Sequence, residues 1–161
     1  MPNYYIIGLG SSHLQGKIYL DQAITLLRDN RLLTILSQSE TELSGGVGTE
    51  DALVFTNAAI CISTNLSPSA LWFALTSIET RLGRIRTMIN GPRTLDLDLL
   101  WWSGRDYCDV FITLPHPRFQ ERKFAIDLAL QALRHASLDA TSIKMGADKG
   151  PRTYQAVTSI T

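Results

Sequence analysis

Long apolar runs are missing from this chain, and so is any excess of one charge. No stretch is long enough to span a bilayer as a helix, so no membrane partner is expected. The start, Met1-Pro2-Asn3-Tyr4, has no basic cluster leading into an apolar run, and no secretory leader is expected. Lys+Arg and Asp+Glu both number 15, which gives a formal net charge of zero. A general nucleic-acid binder is normally basic, so nucleic acid is not the expected partner. Cysteine is scarce. Cys61 and Cys108 make neither a disulfide framework nor a zinc site, and they read as free thiols in a reducing, cytoplasmic compartment. Two phosphate-binding signatures are incomplete. Gly8-Leu9-Gly10 lacks the third glycine of a dinucleotide fingerprint, because position 13 is His13. Gly16-Lys17 lacks the earlier glycine, which would fall at Ser11, and is followed by Ile18 where a magnesium-holding hydroxyl belongs.

What is there suits one globular domain over residues 1–161, with 45% hydrophobic residues and enough length for a core without staples. Residues 4–9 read as a buried strand ending in a glycine turn at Gly8-Leu9-Gly10. Leu20, Ala23, Ile24 and Leu27 recur at helical spacing and predict a helix over 17–28. Strands are expected at 33–38, 54–63 and 95–102, with a short hairpin up to Leu114. The polar, glycine-rich stretch 44–51 reads as a loop, as does 87–91. Ser67-Pro68 opens a second helix as cap and first-turn proline, its apolar stripe is Leu71, Leu75, Ile78 and Leu82, and Gly83 closes it. A third helix is expected over 119–133, and the tail from Ala136 is weakly patterned. Strand, helix, strand, strand, helix, strand points to an α+β sandwich of an antiparallel sheet with helices packed on it.

The densest chemistry lies in Gly91-Pro92-Arg93-Thr94-Leu95-Asp96-Leu97-Asp98-Leu99-Leu100. Side chains alternate along a strand, so Asp96 and Asp98 share one face while Leu95, Leu97 and Leu99 face the core. Adjacent carboxylates repel, and a hard divalent cation such as magnesium relieves that by binding them together with substrate phosphates. An isolated Asp-x-Asp is more often an exposed strand face. Here arginines surround it in sequence: Arg84 and Arg86 before, Arg93 just ahead, Arg118 and Arg122 after His116. Guanidinium groups bind phosphate oxygens in pairs, and carboxylates for metal plus arginines for phosphate suit phosphoryl transfer. Each arginine alone would be a solvated charge, and a lone histidine is more often structural. Pro115 and Pro117 restrict the backbone of His116 among these candidate phosphate ligands. Arg118 and Arg122, four apart, share a face where the helix includes both. Phe55 and Asn57 lie on one strand face, an aromatic ring beside an amide that suits a flat hydrogen-bonding heterocycle. That segment alone reads better as a core phenylalanine and an asparagine capping an edge.

Together these residues resemble the 6-hydroxymethyl-7,8-dihydropterin pyrophosphokinase family. The resemblance rests on Gly8-Leu9-Gly10-Ser11, Phe55-Thr56-Asn57-Ala58, Ile78-Glu79 with Leu82-Gly83-Arg84-Ile85-Arg86, Gly91 to Asp98, and Pro115-His116-Pro117-Arg118 with Glu121-Arg122 and Phe124. It implies a ferredoxin-like fold and transfer of diphosphate from ATP to the pterin hydroxymethyl group, with AMP released. It implies that Asp96 and Asp98 hold two magnesium ions on the ATP phosphates, and that Arg84, Arg93, His116, Arg118 and Arg122 grip the polyphosphate. Glu79 and Leu99 would line the nucleotide site. Phe55 and Phe124 would sandwich the pterin, Asn57 would read its polar edge, and the backbone of Thr41 would meet it. Arg86 matches an arginine of a mobile catalytic loop, and Asp98 would accept a hydrogen bond from the attacking hydroxyl. The working unit implied is a monomer.

Three stretches depart from the family's pattern: Ser12 stands where asparagine is usual, 42–51 is glycine-rich without the usual proline, and Thr87-Met88-Ile89-Asn90 carries neither arginine nor tryptophan. They bear on lid closure and pterin choice and leave the carboxylates and arginines intact. The competing readings are a modified pterin alcohol as acceptor, and a non-catalytic relative that binds pterin, nucleotide or RNA.

Overall fold

In a computed structural model, described here for residues 2–45, 54–84, 94–119 and 123–138, the chain folds around one antiparallel sheet. The elements run β1 (Asn3–Ser11), α1 (Gly16–Asp29), β2 (Leu33–Gln38), β3 (Glu42–Gly45), β4 (Val54–Thr64), α2 (Pro68–Arg81), β5 (Asp96–Trp102), β6 (Tyr107–Cys108), β7 (Thr113–Leu114) and α3 (Lys123–His135). The sheet order is β2-β4-β1-β5, with β3 pairing the far end of β4. Every pairing is antiparallel, which is the expected ferredoxin-like arrangement.

The sheet has two cores. On one face, Tyr5, Ile7 and Leu9 of β1, Ala58, Ile60 and Ile62 of β4, and Leu97 and Leu99 of β5 pack with Leu20 and Leu27 of α1 and Leu71 and Leu75 of α2. On the other face, Ile6, Ala59, Cys61 and Leu100 pack against Leu128, Ala129, Ala132 and Leu133 of α3. The strict alternation along β1 and β4 therefore feeds two layers of helix. Between Ile6 and Ile7 the pairing of β1 with β5 slips, so Leu100 is an extra residue, and it joins the α3 core beside Trp101.

Helix α2 starts as its sequence predicts, with the Ser67 side chain accepting from the Ala70 N–H and Pro68 in the first turn. It stops at a left-handed Gly83, φ 82°. The hairpin β6–β7 is tied down by Asp109. Its carboxylate accepts from the N–H groups of Phe111 and Ile112, the hydroxyl of Ser69 on α2, and Tyr107.

Three expectations change. Gly8-Leu9-Gly10 is not a turn: β1 runs on to Ser11, and the turn comes after it, where Gly16 N–H donates to His13 C=O. Ser44 and Gly45 are strand, because Glu42–Gly45 finds a pairing partner in β4 that its polar sequence does not announce. Phe119 is buried in a turn together with Arg118, ahead of α3 (Lys123–His135), so neither lies on the helix. The residues 46–51, 87–91 and the tail beyond 138 lie outside the described residues.

Candidate active site

The site grows from β5. Leu95, Leu97 and Leu99 are almost completely buried, each anchoring the strand by about 1.5–3 kcal/mol of apolar burial. That fixes which way the alternate residues point, and Asp96 and Asp98 emerge together on the α3 side of the sheet, beyond the helix. Asp98 is exposed and Asp96 is partly covered.

Next to them in the sheet, Gly8 pairs with Asp98 and Gly10 with Asp96. The same two glycines pair on their other side with Ala59 and Asn57 of β4. Directly paired residues share a face, so the carboxylates, the two glycines and Asn57 form one continuous floor. A side chain at Gly10 would place its Cβ 3.3 Å from Asn57 Oδ1, and one at Gly8 would sit 3.1 Å from Leu100 Cδ1. The glycines thus keep a bare strip between Asn57 and Asp96, two strand spacings or about 10 Å apart.

The β4 side of the floor continues outward. Phe55 shares the face of Asn57 and is 43% exposed, so it is not a core residue. Asn57 Nδ2 donates to Ser44 Oγ at 2.8 Å, which orients the amide and turns its oxygen toward Gly10. Ser44 pairs with Phe55, and Glu42 pairs with Asn57. Thr41 directly precedes Glu42 and is exposed at this rim. The sequence signal for Ser44 was weak, since a polar residue beside glycines reads as loop.

The outer edge of β5 is closed by two other candidate residues. Glu79 of α2 accepts the Leu97 N–H at 2.7 Å, and the N–H of His116 donates to Leu100 C=O at 2.9 Å. An exposed strand edge would otherwise offer these groups unpaired. The Nδ1 of His116 accepts from the Arg118 N–H, so the ring proton resides on Nε2, a donor.

Arg84 reaches this edge through the end of α2. Gly83 N–H bonds to Thr80 C=O and Arg84 N–H to Glu79 C=O, the double closure of a Schellman motif. That fold-back sets Arg84 above Glu79, where its guanidinium is 2.5 Å from Glu79 Oε1 and 2.8 Å from Asp96 Oδ1. Burial raises the Glu79 carboxyl above its ordinary range, against the Leu97 N–H and Arg84, which pull it down, while neighbouring Asp96 pushes it further up.

The structure therefore brings together Glu79, Arg84, Asp96, Asp98 and His116 around β5, and Thr41, Phe55 and Asn57 at the β3–β4 end of the same floor. Leu99 lies in the helix-facing core, its side chain opposite to Asp98. Arg118 is exposed next to His116. Arg86, Arg93 and Arg122 lie outside the described residues, as does the side chain of Phe124. Among the described residues no three His, Cys, Asp or Glu side chains gather as a standing metal cage. Two carboxylates on one face are instead the partial shell that magnesium takes when substrate phosphates complete it, so the donor set fits that ion.

Known proteins resemble this chain over most of its length. Residues 6–134 match the family model for 7,8-dihydro-6-hydroxymethylpterin-pyrophosphokinase. A 2-amino-4-hydroxy-6-hydroxymethyldihydropteridine pyrophosphokinase of Bacillus subtilis is 35% identical over 142 residues, covering 88% of this chain and 85% of its own. One of Campylobacter jejuni is 38% identical over 117 residues, 73% of this chain and 74% of its own. The folic acid synthesis protein fol1 of Schizosaccharomyces pombe is 32% identical over 66% of this chain, which is 15% of that longer protein. With its ferredoxin-like sheet, its paired aspartates on β5 and a family match over most of its length, this chain belongs to the 7,8-dihydro-6-hydroxymethylpterin-pyrophosphokinase family.

Proposed function

We propose that this protein is an ATP-dependent pyrophosphokinase of folate biosynthesis, which transfers diphosphate from ATP to the hydroxymethyl group of 6-hydroxymethyl-7,8-dihydropterin and releases AMP. The observation that carries the reading is the shared floor: Asp96 and Asp98 stand at one end, Phe55 and Asn57 at the other, with the bare strip of Gly8 and Gly10 between them. A flat bicyclic ring held at the Phe55–Asn57 end, read by the Asn57 amide, points its one-carbon arm across the strip toward the carboxylates.

In this reading the pterin hydroxyl oxygen forms a bond to the β-phosphorus, and the bond from that phosphorus to the α–β bridging oxygen breaks. AMP leaves with the bridging oxygen, and the hydroxyl proton passes to Asp98 or to water. Phosphoryl transfer asks the protein mainly for alignment and charge neutralisation. Asp96 and Asp98 would hold two magnesium ions, which when bound supply positive charge to the phosphate oxygens. Arg84 and the Nε2–H of His116 reach the polyphosphate from the edge of β5, with Arg93, Arg118 and Arg122 completing the cationic side. Glu79 acts on this side through Arg84, and Leu99 through its main chain. Phe55 and Phe124 stack on the ring, and the Thr41 backbone meets its rim. Arg86 is assigned to the catalytic machinery by its match to an arginine of the family.

No helix among the described residues is long and apolar enough to cross a membrane. Cys61 is buried, Cys108 is exposed and neither is in a disulfide, which supports a reducing, cytoplasmic setting. The test is AMP release from ATP and magnesium with and without 6-hydroxymethyl-7,8-dihydropterin. AMP that depends on the pterin is the expected result. A folded protein that binds ATP and yields no AMP with this pterin would contradict the reading.

A further inference from the structure

Arg84 is engaged by two carboxylates of its own chain. Its Nη1 meets Glu79 and its Nη2 meets Asp96, and its side chain is only 16% exposed. Three features hold it there. The Schellman closure of α2 fixes its backbone over Glu79. The same Glu79 oxygen, Oε1, that meets Arg84 also accepts the Leu97 N–H of β5. Glu79 is 3% exposed, so its negative charge needs a partner that stays. Asp96, at the outer end of this series, therefore shares one protein cation with Glu79.

We propose that Arg84 is a resident counter-ion that keeps Asp96 from recruiting a divalent cation until a nucleotide arrives. The inference rests on the proposed reading of the site and adds its regulation. A cation approaching Asp96 alone meets the guanidinium charge at contact distance and must share or displace it. A polyphosphate changes that balance. Its oxygens take over Nη2 while Nη1 remains on Glu79, and Asp96 is released at the moment when phosphate oxygens are present to complete the metal shell. Metal and nucleotide binding are then coupled through one side chain, and the coupling runs equally in both directions. The site thereby avoids filling with metal that carries no substrate.

The test measures Mn2+ binding to the full chain by electron paramagnetic resonance, with and without a non-hydrolysable ATP analogue. Two variants are compared with the wild type: Arg84→Gln, and Glu79→Gln/Arg84→Met, which removes both buried charges together so that neither is orphaned. Without nucleotide, the wild type should bind Mn2+ weakly, and both variants should bind it about fivefold tighter or more. Thermal melts establish that each variant is folded. Folded variants that bind Mn2+ no tighter than the wild type would overturn the proposal. A wild type that takes up no Mn2+ even with the analogue would overturn the site reading beneath it, and the proposal with it.

Discussion

The two faces of the sheet are made by the same strands and are put to opposite uses. On the face toward α1 and α2, β1 contributes Tyr5, Ile7 and Leu9 and β5 contributes Leu97 and Leu99 to one apolar cluster. On the face toward α3, only the half nearest the helix is apolar. Past Ile6 and Ala59 that face turns to Gly8, Gly10, Asn57, Asp96 and Asp98. The first face holds the strands in place, and the second spends that rigidity on an open, charged floor. Neighbouring residues on β5 therefore differ in kind: a leucine there acts on stability, and an aspartate acts on chemistry.

Substitutions that cross this division should separate the two quantities. The largest effect is expected on the open face. Asp96→Ala should lower turnover by about a hundredfold to a thousandfold, the size of losing a preorganised charge contact to the reacting group, with the melting temperature little changed. Steady-state rates at several magnesium concentrations, beside a thermal melt, check both halves. On the packed face, Leu99→Ala should cost about 3 kcal/mol in denaturant unfolding, with turnover per folded molecule retained. Gly10→Val sharpens the comparison, because it adds a side chain to the bare strip without removing any contact. It should raise the KM for pterin more than the KM for ATP, since its Cβ lies against Asn57 Oδ1. Equal changes in the two constants would mean that the strip does not separate two subsites.

The smallest effect is expected away from both faces, at the β6–β7 hairpin. The Asp109 carboxyl is lowered to about 2 by its hydrogen bond from Ser69, assisted by the N–H groups of Ile112 and Phe111 and by Tyr107. A depressed carboxyl stabilises the fold above the ordinary carboxylate range, and that contribution fades as pH falls through that range toward about 2. Asp109→Asn should therefore melt lower than wild type at neutral pH, by about 1 kcal/mol for a partly solvated set of hydrogen bonds. The difference should shrink in acid. A gap that stays constant from neutral pH to pH 2 would show that the charge is not what ties the hairpin down.

Alternation was legible because it is local: Leu95-Asp96-Leu97-Asp98-Leu99 states both faces of β5 in five residues. The start and stop of α2 were legible for the same reason, with Ser67-Pro68 and Gly83 acting within one turn. The glycines of β1 misled, since Gly-x-Gly reads as a turn. Their true role depends on Leu100 and Asn57, which lie far away in sequence. Strand β3 escaped notice because its pairing with β4 makes it a strand, not its own propensity. The roles of the charged residues were legible only in outline. The clustering of arginines puts Arg84 near Asp96 in sequence and points it at phosphate, while its joint hold on Glu79 and Asp96 comes from the fold-back after α2.

The most direct test of the account sets two adjacent residues of β5 side by side: AMP formation per folded molecule in Asp98→Ala and in Leu99→Ala, assayed together with ATP, magnesium and 6-hydroxymethyl-7,8-dihydropterin. The account predicts that Asp98→Ala loses nearly all turnover while remaining as stable as wild type, and that Leu99→Ala is less stable but turns over normally once folded. An Asp98→Ala variant with near-normal turnover, or a folded Leu99→Ala variant as inactive as Asp98→Ala, would contradict it.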